Sequence, residues 1–242
     1  MEKIFLIVLG FSIQLSVFAQ LGESKDFVYF FNDSIKYGEV EFKSPFVGTD
    51  YILLNSEKIS IDRVKFYKNT TGFHANTKNV NFWGTSAFSE CISKGKINLF
   101  EKVNVNHSMG HWTSSGMYVG GGSSKTILNY YNKGFGDLKK ANYVNLSLDL
   151  ADNPESMKHL EKFRKLRNTQ TGFYLASGAA VLVGFVTLVN KTSGVDYDTE
   201  PSPNVTAELV TMGVGAVCGI VGYTISLSKP EHLRRAVNDY NR

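Results

Sequence analysis

Two runs of uncharged sequence constrain this chain more than anything else in it. The first, Thr169 to Val189, is 21 residues long and the second, Leu209 to Leu227, is 19. Neither contains Asp, Glu, Lys, Arg or His, and both are apolar on all sides rather than along one stripe. A helix of about 20 such residues matches the hydrocarbon thickness of a bilayer, whereas a surface helix of a soluble protein keeps a polar face. The link between them, residues 190–208, is polar and contains Pro201 and Pro203. The pair therefore reads as a transmembrane helical hairpin with the lipid bilayer as its first partner.

Small residues recur at four-residue spacing in both runs: Ala176, Ala180 and Gly184 in the first, Thr211, Gly215 and Gly219 in the second. Each set forms a groove along one helix face, and close backbone approach through small residues is a main source of helix association in lipid. The grooves are expected to face each other or a second copy, and an oligomeric pore built from the hairpin is a third functional option. No ionisable residue lies in either span, which argues against a proton relay or a charged transport path.

Upstream of the first run, "DNPES" starts a helix: Asn153 suits the N-cap, Pro154 the first turn and Glu155 the positive helix end. With no breaker before Gly172, the helix runs from Pro154 into the membrane over roughly 50 Å. Residues 137–168 form a helical stalk, with Asp137 capping a short helix whose apolar positions are Leu138, Ala141, Val144 and Leu148. The end of the chain, 228–242, reads as a basic amphipathic tail with Leu233, Ala236, Val237 and Tyr240 on one face.

The N-terminal part differs. Aromatic residues concentrate before residue 135, and residues 20–106 read as short strands. In "KINLFEKVNVN", Ile97, Leu99, Val103 and Val105 alternate with polar residues, with Phe100 and Glu101 as exceptions. Tyr51 to Leu54, the turn-like "NSEK", and Ile59 with Ile61 read as a hairpin. Ile35, Tyr37, Val40 and Phe42 match Ile59, Ile61, Val64 and Phe66 at a constant offset of 24. Both copies change apolar parity midway, at Gly38-Glu39 and at Asp62-Arg63, so each requires a bulge or tight bend there. The expected fold is α+β: a small β-rich module, either a curled sheet or a small barrel, then a long helix and a two-helix transmembrane hairpin.

Residues 107–136 are rich in Gly and Ser and read as a mobile loop and hairpin. Here His107, Met109, His111 and Met117 group the soft thioether and imidazole ligands that suit copper(I). No carboxylate or thiolate stands nearby in sequence. "GGGSSKT" lacks the Gly that precedes Lys in a phosphate loop, and no G-x-S-x-G elbow occurs. Nothing argues for an enzyme, and no cofactor is implied. The formal charge of +4 is too mild, and its basic residues too close to the apolar runs, for a nucleic-acid grip.

The chain opens with Lys3, an apolar stretch from Ile4 to Leu15, and "VFA" ahead of Gln20. This is the pattern of a secretory signal peptide, residues 1–19, cleaved before Gln20. The two cysteines, Cys91 and Cys218, fall in different environments and are not expected to pair. Charge gives the opposite orientation. Lys158, Lys162, Arg164, Lys165 and Arg167 precede the first span and Arg234 and Arg235 follow the second, while the link carries Asp196, Asp198, Glu200 and Glu208. The positive-inside rule places both ends in the cytoplasm, whereas a cleaved signal exports the β-rich part.

"SVFAQ", "KGKINLFE", "KGFGDLKKANYVNLSLDLADNPESMKHL", the Gly-rich hairpin and "HLRRAVNDYN" together resemble uncharacterised exported membrane proteins of the Bacteroidota. The resemblance implies a Gram-negative envelope location and carries over no activity; the β-rich module is expected on the periplasmic side of the membrane. Binding or scaffolding, to itself or another envelope protein, is the expected role. A metal-handling or enzymatic role for the His107–Met117 loop is the alternative.

Overall fold

The computed structural model describes residues 25–81, 84–114, 116, 118–193 and 204–242. The segment read as a signal peptide and most of the polar link therefore lie outside the described residues. The chain divides into two compact units, residues 1–140 and 141–242.

The regular structure described in the first unit is β, apart from one 3-10 turn at Ile61–Arg63. Its strands are β1 (Phe27–Phe30), β2 (Ile35–Tyr37), β3 (Val40–Lys43), β4 (Tyr51–Leu54), β5 (Glu57–Ser60), β6 (Val64–Asn69) and β7 (Gly72–Asn76). After them come β8 (Phe88–Ser93), β9 (Asn98–Ser108), β10 (His111–Trp112), β11 (Tyr118–Val119), β12 (Gly122–Asn132) and β13 (Lys139–Lys140). Eight strands form one sheet in the order β13-β12-β9-β8-β7-β6-β1-β2; β3-β4-β5 form a second and β10-β11 a third.

The offset of 24 residues is a structural repeat. It lays β1 on β4, β2 on the end of β5, and β3 on β6. Each copy is a hairpin followed by a strand that leaves for the other sheet. The hairpin β1-β2 receives β6, and the hairpin β4-β5 receives β3. The exchange explains the parity changes in the sequence. At Gly38-Glu39 and at the 3-10 turn Ile61–Arg63 the chain crosses between sheets, so the apolar side must reset. The core repeats as well: Val28 with Ile52, Phe30 with Leu54 and Val40 with Val64 are equivalent pairs in one buried cluster.

Both crossings are held by an asparagine. The Glu39 N–H donates to Asn55 Oδ1 at 2.9 Å, and the Asn55 N–H donates to Glu39 O at 3.0 Å. Asn76 Nδ2 donates to Ile61 O at 2.9 Å and to Val64 O at 2.8 Å. Asn55 and Ser56, with φ of 48° and 71°, make the two-residue turn between β4 and β5, a conformation that Asn adopts more readily than most residues.

The opposite face of the large sheet carries Phe66, Ala75, Phe100, Tyr130 and Leu138, with Tyr29, Phe73 and Phe135 packed against them. Phe100, an exception to the sequence alternation, is thus a core residue. Val103 and Val105, which the alternation assigned to a core, are exposed. The reason is the extent of pairing: β8 reaches only as far as Glu101 of β9. Beyond it β9 and β12 continue alone, paired from Lys102 and Leu128 to Ser108 and Gly122. Gly122, Ser123 and Ser124, expected in a mobile loop, are strand residues, because backbone pairing needs no apolar side chain.

In the second unit, α1 (Tyr143–Asp149) is capped by Asn142, whose Oδ1 accepts from Asn145 N at 2.9 Å. The expected start at Leu138 is displaced because Lys139 and Lys140 pair with Tyr131 and Tyr130 of β12. The α2 helix (Pro154–Thr192) is capped by Asn153, with Oδ1 accepting from Ser156 N at 3.0 Å. The α3 helix (Thr206–Asn241) passes through Pro230 without ending, so residues 228–241 continue the second span instead of forming a separate tail. Leu233, Ala236 and Val237 are buried there, and Asn153 Nδ2 donates to Asp239 O at 3.3 Å.

Two predictions follow from these contacts. A Cβ on Gly38 would lie 2.6 Å from Asn55 Cγ, so Gly38→Ala displaces the carboxamide that holds the first crossing. It should lower stability by about 1–3 kcal/mol in urea unfolding of the full chain in micelles. The second concerns His74, which lies opposite Tyr67 with ring centroids 4.6 Å apart and opposite Glu90 on β8. Burial pushes its pKa below the ordinary 6.5, with Glu90 opposing the shift. Above pH 6.5 the ring is neutral folded or unfolded. As pH falls below that value the unfolded chain takes up the proton first, and stability drops until the folded pKa is passed. Histidine hydrogen–deuterium exchange should place His74 below 6.5, and Glu90→Gln should lower it further.

Candidate functional site

The α2 and α3 helices are long and apolar enough to cross a membrane, and only 6 % and 11 % of their apolar windows are buried. A core helix of a soluble protein would be mostly covered. The exposed side chains include Leu175, Leu182, Phe185, Val186, Val210, Val214, Val217, Ile220 and Leu227.

Polar pairs bracket this surface at both ends. Lys229 Nζ donates to Gln170 Oε1 at 2.9 Å, and Lys191 Nζ donates to Glu208 Oε1 at 2.9 Å. Gln170 and Lys191 are 21 positions apart, as are Glu208 and Lys229. At about 1.5 Å per residue that is roughly 31 Å, close to the hydrocarbon thickness of about 30 Å. Within the span the hydroxyls turn back on their own helices. Thr187 Oγ1 donates to Val183 O at 2.7 Å, and Thr211 Oγ1 to Ala207 O at 2.8 Å. Such back-bonding hides polar groups that lipid cannot solvate.

The helices meet through glycine. A Cβ on Gly184 would lie 2.6 Å from Met212 Cγ and 3.0 Å from Glu208 O. One on Gly215 would lie 2.8 Å from Val181 Cγ2 and 3.0 Å from Ser177 O, and one on Gly219 3.1 Å from Ser177 Oγ. One on Gly222 would lie 2.7 Å from Tyr174 Cε1. The structure thus brings Gly184, Gly215 and Gly219 to the seam and adds Ser177 and Gly222. Ala180 is half-buried, and Ala176 is exposed. A helical period of 3.6 drifts off a strict four-residue spacing, so the seam passes from Gly184 to Ser177 rather than through Ala176.

At the other end of this helical pair the His159 and His232 rings stack at 5.9 Å, with His159 Nε2 3.5 Å from Asp239 Oδ2. Arg164 lies over the Tyr143 ring at 4.4 Å, while the Tyr143 hydroxyl donates to Glu161.

In the first unit His107 stands one residue before the end of β9 opposite Ser123, Met109 is exposed in the connection, and His111 stands on β10 opposite Val119. Met117 lies outside the described residues. Among the described residues no group of three or more His, Cys, Asp and Glu is placed to hold a metal ion. Cys91 is half-buried, donates to Ser93 O at 3.3 Å, and is pushed up to about 11 by burial, so it is not a ready nucleophile. Cys91 and Cys218 are both free.

A groove of about 740 Å³ opens beside the aromatic face of the sheet. Tyr29 and Phe135, stacked at 4.9 Å, form one wall. Lys65 Nζ lies 2.9 Å from Asp137 Oδ1 and 3.7 Å from Asp33 Oδ1. Sequence reasoning missed this groove, because its residues come from the β1–β2 hairpin, β6 and the segment after β12, and nothing in their spacing joins them. No protein family matches the chain, and no curated protein or solved structure does.

The seam yields a graded prediction. Gly215→Leu should cost about 1–3 kcal/mol in mixed-micelle unfolding, because the new atoms meet Ser177 and Val181 backbone. Gly178→Ala, which meets nothing within 4 Å, should be neutral or stabilising.

Proposed function

We propose that this chain is an exported, membrane-anchored protein of a Gram-negative cell envelope, and that its β-rich unit serves as a binding or scaffolding module in the periplasm. The observation that carries the reading is the α2–α3 pair, whose apolar surface is left uncovered between two polar pairs set one bilayer thickness apart. Lipid is the solvent such a surface requires. The signal-like N-terminus and the resemblance to exported Bacteroidota proteins support export. The basic residues flanking the spans then lie against anionic headgroups, each worth about 1 kcal/mol. For the module, the groove at Tyr29 and Phe135 and the ribbon beyond β8 supply surfaces for a partner.

The test is the N-terminus and sidedness of the native protein. Protein isolated from membranes should begin at Gln20, resist alkaline extraction, and lose its β-rich unit to protease added to spheroplasts. A chain that begins at Met1 and is protected from external protease would instead obey the charge asymmetry and put the module in the cytoplasm.

A further inference from the structure

The β9–β12 ribbon leaves the sheet at Lys102 and Leu128 and pairs for seven further residues on each side, through Ser108 and Gly122. It therefore projects roughly 24 Å at about 3.4 Å per residue before β10 and β11 close it. Among the described residues no strand pairs with either of its edges over this length, and a lone two-stranded ribbon is marginal in water.

The end of the ribbon is built rather than slack. At the step from β9–β12 to β10–β11 the backbones approach so closely that a Cβ on Gly121 would lie 2.6 Å from Gly110 N. One on Gly110 would lie 2.6 Å from Tyr118 Cζ, so the Tyr118 ring rests against that glycine. Trp112 and Tyr118 stand directly opposite each other with ring centroids 5.2 Å apart. Yet these large side chains are exposed: Met109 by 93 %, Trp112 by 71 % and Tyr118 by 54 %.

Charge supplies the second argument. From Lys102 to Gly136 there is no Asp or Glu, while Lys102, Lys125 and Lys133 are present. Neither Lys102 nor Lys125 has an ion pair among the described residues. An apolar aromatic tip on a shaft that carries only positive charge complements a surface with anionic groups above an apolar layer. Trp, Tyr and Met are suited to the boundary between headgroups and acyl chains.

We propose that the tip formed by Met109, Trp112 and Tyr118 inserts into the headgroup region of the anionic bilayer that holds α2 and α3, with Lys102 and Lys125 drawn to its lipid phosphates. The inference rests on the membrane anchoring proposed above. Because the chain carries its own anchor, the bilayer acts as a tethered partner at high effective concentration, and a shallow contact suffices.

The test uses the full chain with Trp83→Phe, which leaves Trp112 as the only tryptophan. It is reconstituted in phosphatidylcholine vesicles with about one third phosphatidylglycerol, with bromines at graded acyl depths. Flotation comes first, since a chain that stays at the bottom of the gradient overturns the anchoring reading and this one with it. In floating vesicles, Trp112 emission should be blue-shifted, quenched by shallow bromines and shielded from acrylamide. Lys102→Gln and Lys125→Gln should each lower the ratio of lipid-bound to free tip by roughly fivefold.

A floating protein whose Trp112 is quenched by acrylamide like free indole overturns the proposal and leaves the anchoring intact. So does quenching only by brominated vesicles added separately, which would mean an opposing membrane. Cross-links between copies at Trp112 without bromine quenching would identify a second copy of the chain as the partner instead. Should Trp83→Phe misfold, a nitroxide on Met109→Cys with Cys91→Ser and Cys218→Ser reads the same depth by its exposure to oxygen and to aqueous nickel.

Discussion

The second unit depends on how closely two helical backbones approach. Lipid tails are as apolar as the side chains they touch, so burial of Leu or Val gives little drive for α2 to join α3. What remains is van der Waals contact over a smooth seam. Gly184, Gly215, Gly219 and Gly222 leave room for Met212, Val181, Ser177 and Tyr174. With the seam closed, Gln170 meets Lys229 at one end and Glu208 meets Lys191 at the other. The polar pairs are thus consequences of the seam's register.

A different constraint governs the β-rich unit. In each copy of the 24-residue repeat the hairpin alone has two open edges and is too small to hold a core. Exchange of the third strand gives each hairpin a neighbour and threads the two sheets into one cluster, from Val28 and Ile52 to Val40 and Val64. The crossings at Gly38 and at Ile61–Arg63 are the points of greatest backbone demand, and asparagine side chains meet it at both. The rest of the large sheet extends from this knot through β7 and β8 to β9.

Much of this was legible in the residues. The charge-free runs, the caps at Asn153 and Pro154, the hairpin at Tyr51–Ile59 and the two bends are local features, and local chemistry imposes them. The errors share one cause. The apolar alternation at Val103 and Val105 implied a core that is not there, because β8 stops pairing with β9 at Glu101 and only β12 continues beside it. Lys139 and Lys140 read as part of a helix until β12 claimed them. The Gly-Ser stretch read as a loop because side chains carry the sequence signal, whereas strand pairing is made by backbone.

The sequence by itself determined that two helices are apolar on every side and long enough to cross a membrane, because neither run holds a charged residue over about 20 positions. It also determined where the β-chain must bend, because a period of two cannot change face without a break. Only the tertiary structure decided that the third strands are exchanged, that Ser177 rather than Ala176 lies in the seam, and that a ribbon with an aromatic tip projects beyond the sheet. Those outcomes depend on which segments come to lie side by side, and contact between distant segments is set by pairing and packing in three dimensions rather than by spacing along the chain.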